Sequence, residues 1–187
     1  MALALRSAIL VAACSSISAA EVFAKSSGPK RDKVDLIVIH SIGGPECSED
    51  GKKVIFRPVK GDASTWKSYF ERHHELGIHW IIDRSGTMVS SIPEDQVANH
   101  AAGWNRTSIG IELVNTGDGV DPYPPVQIDA LTRLIIGVRS RWGVVPQNIK
   151  RHSDIDQGQP LPCGSPRKVD PGANFPFVEV LRAVSEK

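Results

Sequence analysis

The sequence predicts a single α/β domain in which helices pack on a mixed β-sheet. Two observations lead to this prediction: strand-type and helix-type hydrophobic patterns alternate along the chain, and one pair of strands is joined by a short turn. Alternation of this kind is typical of layered α/β folds, and a tight hairpin makes at least one strand pair antiparallel. With 187 residues, the chain can form one sizeable core, and its length gives no reason to divide it.

A buried strand is predicted at residues 34–40, VDLIVIH, because apolar and mostly β-branched residues run through its second half without interruption. Gly43 and Gly44 end the strand, which places His40 at its carboxyl-terminal tip. Residues 45–63 are rich in Gly, Pro, Lys and Asp, and we expect them to form an irregular insertion.

A short helix is expected from residue 64 to residue 74, and both Asp62 and Ser64 are suitable N-terminal caps. His73 and His74 fall on this helix. Because side chains of adjacent helical residues diverge, these two histidines are expected to be solvated or to pack, and not to share a ligand.

An antiparallel hairpin follows, with a strand at residues 78–83, a turn at 84–86 and a return strand at 87–92. Residues 108–114 alternate between two faces, as a further strand does. Glu112 lies on the face opposite to the most apolar one, which makes it available to a functional site.

The longest helix begins at Pro124 and Pro125 and ends before Gly143. Its apolar residues recur at spacings of three and four and form a core-facing stripe of Ile128, Leu131, Ile135, Val138 and Trp142. Residues 148–152 are expected to be a short extended segment, and residues 176–184 a closing helix.

Residues 1–24 are predicted to be an export signal, which leaves residues 25–187 as the folded domain. A single positive charge at Arg6 precedes an apolar run that is too short to cross a bilayer as a helix. Two processing routes are compatible with it: cleavage after Ala24, or lipoprotein-type processing at Cys14. We expect export to the periplasm or outer membrane, with secretion as the alternative. A lipid on Cys14, under the second route, would be the only contact with a membrane.

Cys47 and Cys163 remain in the mature chain under either processing route. An even pair of cysteines in an exported protein favours a disulfide. The competing interpretation, two metal thiolates, lacks support because neither cysteine has a CxxC partner or a neighbouring histidine. A bond between them would connect the loop after His40 to the loop before Asp170.

The charge of the chain gives no sign of a nucleic-acid partner. Lys and Arg number 22 against 21 for Asp and Glu, which leaves a formal charge of +1. Since no basic field is present to attract phosphates, the ligand must be identified from local residues.

His40, His100 and His152 are the remaining histidine candidates for a functional site, because His79 lies within an apolar strand and is expected in the core or a cleft wall. His152, like His40, follows an extended segment. His40 and His152, together with Asp170, offer two imidazoles and one carboxylate, a composition typical of catalytic zinc. Spacing alone leaves this as one interpretation, since the residues are far apart in sequence.

Residues 168–172, KVDPG, carry a lysine and a carboxylate on one short turn. Pro171 disfavours the helical conformation at Asp170, and Gly172 permits a sharp reversal. We therefore expect the turn to hold Lys168 and Asp170 in a fixed relation. The alternative is an ordinary surface turn.

Five motifs occur in order between residues 34 and 180: IVIH ending at His40, HAAG beginning at His100, Asn105 followed by SIGIEL at residues 108–113, HSDI beginning at His152, and KVDPG at residues 168–172. This order resembles the zinc-dependent N-acetylmuramoyl-L-alanine amidases of type 2, a family related to phage-lysozyme-type amidases and peptidoglycan recognition proteins. The resemblance implies a central mixed sheet flanked by helices. It also implies hydrolysis of the amide between N-acetylmuramic acid and L-alanine in peptidoglycan or its fragments.

The resemblance further implies one zinc ion held by His40, His152 and Asp170, with Glu112 and Lys168 as the catalytic pair. These residue types suit the chemistry. Zinc activates water, a carboxylate at Glu112 can transfer the proton, and the charge of Lys168 can stabilise the developing oxyanion.

His100 and Asn105 match family positions that line the substrate cleft, so the resemblance implies that they bind peptidoglycan or muropeptides. We expect a monomer. A recognition module of the same fold, which binds muropeptides without cleaving them, is the main alternative. A zinc peptidase that cuts the stem peptide is a second alternative, but the chain has no His-Glu-x-x-His motif to support it.

Overall fold

Within residues 27–186, which the computed structural model describes, the chain forms nine strands and four α-helices. The strands are β1 (Ser27–Lys30), β2 (Leu36–Ser41), β3 (Pro45–Cys47), β4 (Val54–Phe56), β5 (Trp80–Ile82), β6 (Met88–Ser90), β7 (Gln96–Ala98), β8 (Ser108–Leu113) and β9 (Ile149–Arg151). The helices are α1 (Ala63–Arg72), α2 (Pro125–Trp142), α3 (His152–Ile155) and α4 (Phe177–Ser185), and a 3₁₀ turn lies at Pro146–Asn148.

Five of the strands form a mixed sheet in the order β6-β5-β8-β2-β9. β2 lies between β8 and β9, pairs with both in parallel, and is buried along its whole length. β5 is parallel to β8, whereas β6 pairs with β5 in the antiparallel direction through the predicted hairpin. The predicted mixed sheet is confirmed, and the central position of β2 explains its continuous apolar sequence.

Helices cover both faces of this sheet. On one face, the apolar stripe of α2 shares a core with alternate residues of β2 and β8, and α4 packs beside α2. On the other face, α1 contributes Ala63 and Phe70 to a smaller core with Ile78 and Ile81. The long helix ends where the sequence predicts, because Gly143 adopts a left-handed conformation with φ of 71°.

Three parts of the fold differ from the expectations. The segment expected to be irregular contains the antiparallel pair β3–β4, and β1 pairs with β7, which the sequence does not predict. These strands are only three or four residues long, too short to show a hydrophobic period. α1 ends at Arg72 and not at residue 74, and of the two candidate caps it uses Asp62, whose Oδ1 accepts the N–H of Thr65 at 2.8 Å.

A disulfide joins Cys47, at the end of β3, to Cys163 in the loop after α3. The two cysteines are 116 residues apart in sequence. The bond therefore ties the β3–β4 hairpin to the segment that leads into Asp170.

The predicted export signal at residues 1–24, including Cys14, lies outside the described residues. Among the helices of residues 27–186, none is long and apolar enough to cross a bilayer.

The loops that follow β2 and β8 touch each other through backbone atoms. Gly43 donates its N–H to the carbonyl of Asn115 at 3.0 Å. A Cβ on Gly43 would lie 2.2 Å from the carbonyl oxygen of Thr116, whereas a Cβ on Gly44 would meet nothing within 4 Å. Only glycine fits at residue 43, so this contact sets how closely the two loops approach.

Replacement of Gly43 by alanine should lower the free energy of unfolding by about 1–3 kcal/mol, because the added methyl group must push the two loops apart. Gly44→Ala is the matched control and should change stability by no more than about 0.5 kcal/mol. Equilibrium urea unfolding measures both variants. An equal loss in the two would contradict the close approach.

Candidate functional site

Parallel strand pairing brings three predicted site residues to one edge of the sheet. His40 in β2 and Glu112 in β8 are direct partners across the pair. β9 pairs with the other side of β2, and His152 follows its last residue, Arg151. Residues that are far apart in sequence therefore lie side by side.

One ring nitrogen from each of His40 and His152 and one oxygen of Asp170 converge. The two Nδ1 atoms are 2.9 Å apart. Oδ2 of Asp170 lies 3.3 Å from Nδ1 of His40 and 3.0 Å from Nδ1 of His152. Ligand atoms of a tetrahedral zinc site are about 3.3 Å apart when the metal bonds are about 2.0 Å long. The three groups thus fit one zinc ion and leave it one further ligand position.

Burial and the shared carboxylate determine the protonation of this cluster. Burial lowers the pKa of His40 to about 4, against the opposing effect of its hydrogen bond with Asp170. The pKa of Asp170 lies below its ordinary value. Burial alone would raise this pKa, but the hydrogen bonds from His152 and His40 lower it by more. Near neutral pH, His40 is therefore a neutral imidazole and Asp170 an ionised carboxylate, and these are the forms that bind metals.

Tyr123 and a glycine contact hold the turn that carries Asp170. The hydroxyl of Tyr123 donates a hydrogen bond to the carbonyl of Pro171. Gly172 has φ of 96°, and a Cβ there would lie 3.1 Å from the carbonyl oxygen of Gly117. The proline and glycine of this turn are recognisable in the sequence. Tyr123 is not, because it is 48 residues away from Pro171 and belongs to no motif.

Glu112 is the second carboxylate of the site. Its Oε2 is buried and has no hydrogen-bond partner among the described residues. Burial, together with the charge of Asp170, raises the pKa of Glu112 to about 8, although Lys168 opposes this shift. A carboxyl group with a pKa near neutrality is suited to general acid–base catalysis.

A cleft of about 310 Å³ gives access to these groups. It is lined by His40, Glu112, His152, Lys168 and Asp170, and also by Trp66, Tyr69, Phe70 and Leu76. No function is predicted for this apolar wall from the sequence. The cluster of aromatic residues on α1 is the signal that points to it.

Of the two residues predicted to bind substrate, His100 lines this cleft and Asn105 lies beside it. Both line a neighbouring cavity of about 220 Å³, together with Arg167 and Lys168. His100 also contacts one of the three converging groups, with its Nδ1 3.0 Å from Nε2 of His40. A role of His100 and Asn105 in substrate binding remains a prediction.

Comparison with known proteins gives a family and two informative relatives. The family model described as N-acetylmuramoyl-L-alanine amidase matches residues 30–173. The 1,6-anhydro-N-acetylmuramyl-L-alanine amidase AmpD of Enterobacter cloacae is 30% identical over 173 residues, which cover 85% of this chain and 87% of the relative. The N-acetylmuramoyl-L-alanine amidase AmiD of Escherichia coli K12 is 36% identical over 106 residues, which cover 49% of this chain but only 36% of AmiD.

Solved structures share the fold. AmiD of E. coli, in complex with anhydro-N-acetylmuramic acid-L-Ala-D-γ-Glu-L-Lys, matches with a TM-score of 0.60 and 22% identity over 85% of this chain and 66% of that chain. At this level of identity the likeness supports the fold alone. The family match, in contrast, includes every residue of the metal cluster, from His40 to Asp170. The chain belongs to the N-acetylmuramoyl-L-alanine amidase family.

Proposed function

We propose that this protein uses one zinc ion to hydrolyse the amide between N-acetylmuramic acid and L-alanine in peptidoglycan or its fragments. The observation that carries the proposal is the convergence of His40, His152 and Asp170, whose ligand atoms lie within 3.3 Å of one another in a cleft that also contains Glu112. Family membership and the names of the relatives support the reaction class.

His40, His152 and Asp170 would hold the zinc ion. All three are buried, so their ligand atoms are fixed by the surrounding structure before any ligand arrives. When bound, zinc supplies Lewis-acid chemistry that polarises the amide carbonyl and makes water a stronger nucleophile near neutral pH.

Glu112 transfers the proton in this mechanism. Its carboxylate takes a proton from the water that adds to the amide carbon, and returns it to the nitrogen as the carbon–nitrogen bond breaks. The products are a carboxylic acid on the muramic acid side and the free amino group of L-alanine. Without a metal ion, burial and Asp170 raise the pKa of Glu112 to about 8, so the group is largely protonated near neutral pH. The positive charge of a bound zinc ion would lower this pKa and favour the carboxylate that accepts the proton.

Lys168 contributes a positive charge to the same cleft. Negative charge develops on the carbonyl oxygen while water adds, and a nearby ammonium group stabilises it. The position of Lys168, two residues before Asp170, couples this charge to the turn that carries a metal ligand.

The alternative from another functional class is a recognition module that binds muropeptides without cleaving them. Such a module requires neither a general base nor a metal. One cleft here contains the imidazoles of His40 and His152, two carboxylates and a lysine, and this complete set favours hydrolysis.

Glu112→Gln should lower turnover by about 10²- to 10⁴-fold, because the variant cannot transfer the proton. Its zinc content should stay near one ion per chain, since Glu112 is not a proposed ligand. Release of stem peptide from purified peptidoglycan or muropeptides, measured by mass spectrometry, and zinc content, measured on the same sample, check both expectations.

Glu179→Gln, on the exposed side of α4, is the matched control and should retain full turnover. Zinc removal by a chelator should abolish turnover in the wild-type protein, and added zinc should restore it. Undiminished turnover in Glu112→Gln, or turnover that survives complete zinc removal, would contradict the mechanism. A wild-type protein that binds muropeptides but releases no stem peptide would be a recognition module.

Lys168→Met should lower kcat by about 10²- to 10³-fold, because the developing oxyanion loses a charged partner. Lys52→Met, in the exposed turn of the β3–β4 hairpin, controls for the loss of one positive charge. Steady-state kinetics of the two zinc-loaded variants make the comparison. Equal kcat values in both would remove Lys168 from the catalytic machinery.

We further propose that the protein is exported to the periplasm or outer membrane. The disulfide between Cys47 and Cys163 supports this proposal, because disulfides persist in oxidising compartments. The mass of the mature protein from a Gram-negative host should correspond either to a chain that begins at residue 25 or to a lipidated chain that begins at Cys14. A mature protein that retains Met1 and the residues that follow would contradict export by this signal.

A further inference from the structure

We propose that His100 is a positioning residue for the metal centre. His100 fixes the ring orientation of His40 and determines which nitrogen of that ring carries the proton. It does so through a chain of hydrogen bonds that runs from His40 to His100 and then to Ser108, and ends at the carbonyl of Trp104. The inference rests on the proposed metal function of His40, and it concerns residues that do not themselves bind the metal.

Simple chemistry fixes the direction of each bond in this chain. Nδ1 of His40 faces the other two ligand atoms, so the proton of this ring lies on Nε2 when Nδ1 acts as a ligand. That Nε2 lies 3.0 Å from Nδ1 of His100, which must therefore accept the hydrogen bond. A neutral imidazole that accepts at Nδ1 carries its proton on Nε2.

The second half of the chain continues in the same direction. Nε2 of His100 lies 3.1 Å from Oγ of Ser108. Ser108 donates its own proton to the carbonyl oxygen of Trp104 at 2.8 Å. Because a carbonyl oxygen can only accept a hydrogen bond, the proton of Ser108 points to Trp104. The serine oxygen is then free to accept a hydrogen bond from Nε2 of His100, and every group in this chain of hydrogen bonds has a partner.

Strand β8 has a glycine, Gly110, where the ring of His100 packs against it. A Cβ on Gly110 would lie 2.6 Å from both Cγ and Nδ1 of His100, so the ring lies directly against the strand backbone. The ring of His79 packs edge-on against it, with centroids 5.5 Å apart. His79 is itself held in place, since its Nδ1 accepts the N–H of Gly110 at 3.0 Å.

Asn105 fixes the backbone of the same segment. Its Oδ1 accepts the N–H groups of His100 at 3.0 Å and of Ala101 at 2.7 Å. Asn105 therefore holds the main chain of His100, while Ser108 and Gly110 hold its ring. This gives both predicted binding residues a role inside the protein as well.

Zinc affinity is the readout that separates this role from substrate contact. In competition titrations against a chromophoric chelator, His100→Leu should lower zinc affinity by about 10- to 100-fold, the usual effect of removing the partner of a ligating histidine. Ser108→Ala removes only the next hydrogen bond and should lower zinc affinity by a smaller factor. His100→Asn, whose amide oxygen can still accept from His40, should retain more affinity than His100→Leu. His74→Asn, at an exposed position after α1, is the control and should bind zinc as the wild type does.

The outcomes of this experiment separate the inference from the proposed function. Unchanged zinc affinity in Ser108→Ala and His100→Leu, with a raised KM, would overturn the inference and leave His100 a substrate contact only. A wild-type protein that binds zinc but does not cleave the amide would overturn the proposed function, and the affinities of the variants would still decide the role of His100. A wild-type protein that binds no zinc would overturn both.

Nitrogen NMR tests this chain of hydrogen bonds in the wild-type protein, so the result does not depend on how the variants fold. In zinc-loaded protein labelled with ¹⁵N-histidine, two-bond ¹H–¹⁵N spectra should show His100 as a neutral ring protonated at Nε2. Protonation at Nδ1, or at both nitrogens, would contradict the direction of the chain.

Discussion

Parallel pairing of β2 with β8 on one side and with β9 on the other decides which side chains can meet in this protein. The register places His40 opposite Glu112, and β9 delivers His152 beside them. A shift of one residue would turn one of these side chains to the opposite face of the sheet. The close approach of His40, Glu112 and His152 is therefore a consequence of strand register, which the apolar cores on both faces of the sheet hold in place.

The third proposed metal ligand does not lie on the sheet, and its position depends on contacts between loops. Asp170 lies in a turn that Gly172 brings against the backbone of Gly117 and that Tyr123 holds through Pro171. The disulfide between Cys47 and Cys163 restrains the segment leading into this turn. A ligand set that spans the chain thus depends on close backbone approaches as much as on the sheet.

The sequence predicts the elements whose local pattern is strong and misses those whose stability comes from contacts distant in sequence. Strand β2 and helix α2 are long and regularly apolar, so their hydrophobic periods identify them. The pairs β3–β4 and β1–β7 are too short to show a period. The metal cluster is predictable because motif order resembles a known family, whereas spacing alone is a weak signal for residues so far apart. The contacts of Tyr123 and His100 exist only in the folded chain, where a hydroxyl meets a distant carbonyl and a ring occupies the space that Gly110 leaves.

Anomalous diffraction at the zinc absorption edge, on crystals of the zinc-loaded protein, tests the proposed metal site. The expected result is one strong anomalous peak, bounded by Nδ1 of His40, Nδ1 of His152 and a carboxylate oxygen of Asp170, with Nε2 of His40 directed at His100. A peak at another position, or coordination of zinc by Nε2 of His40, would contradict it.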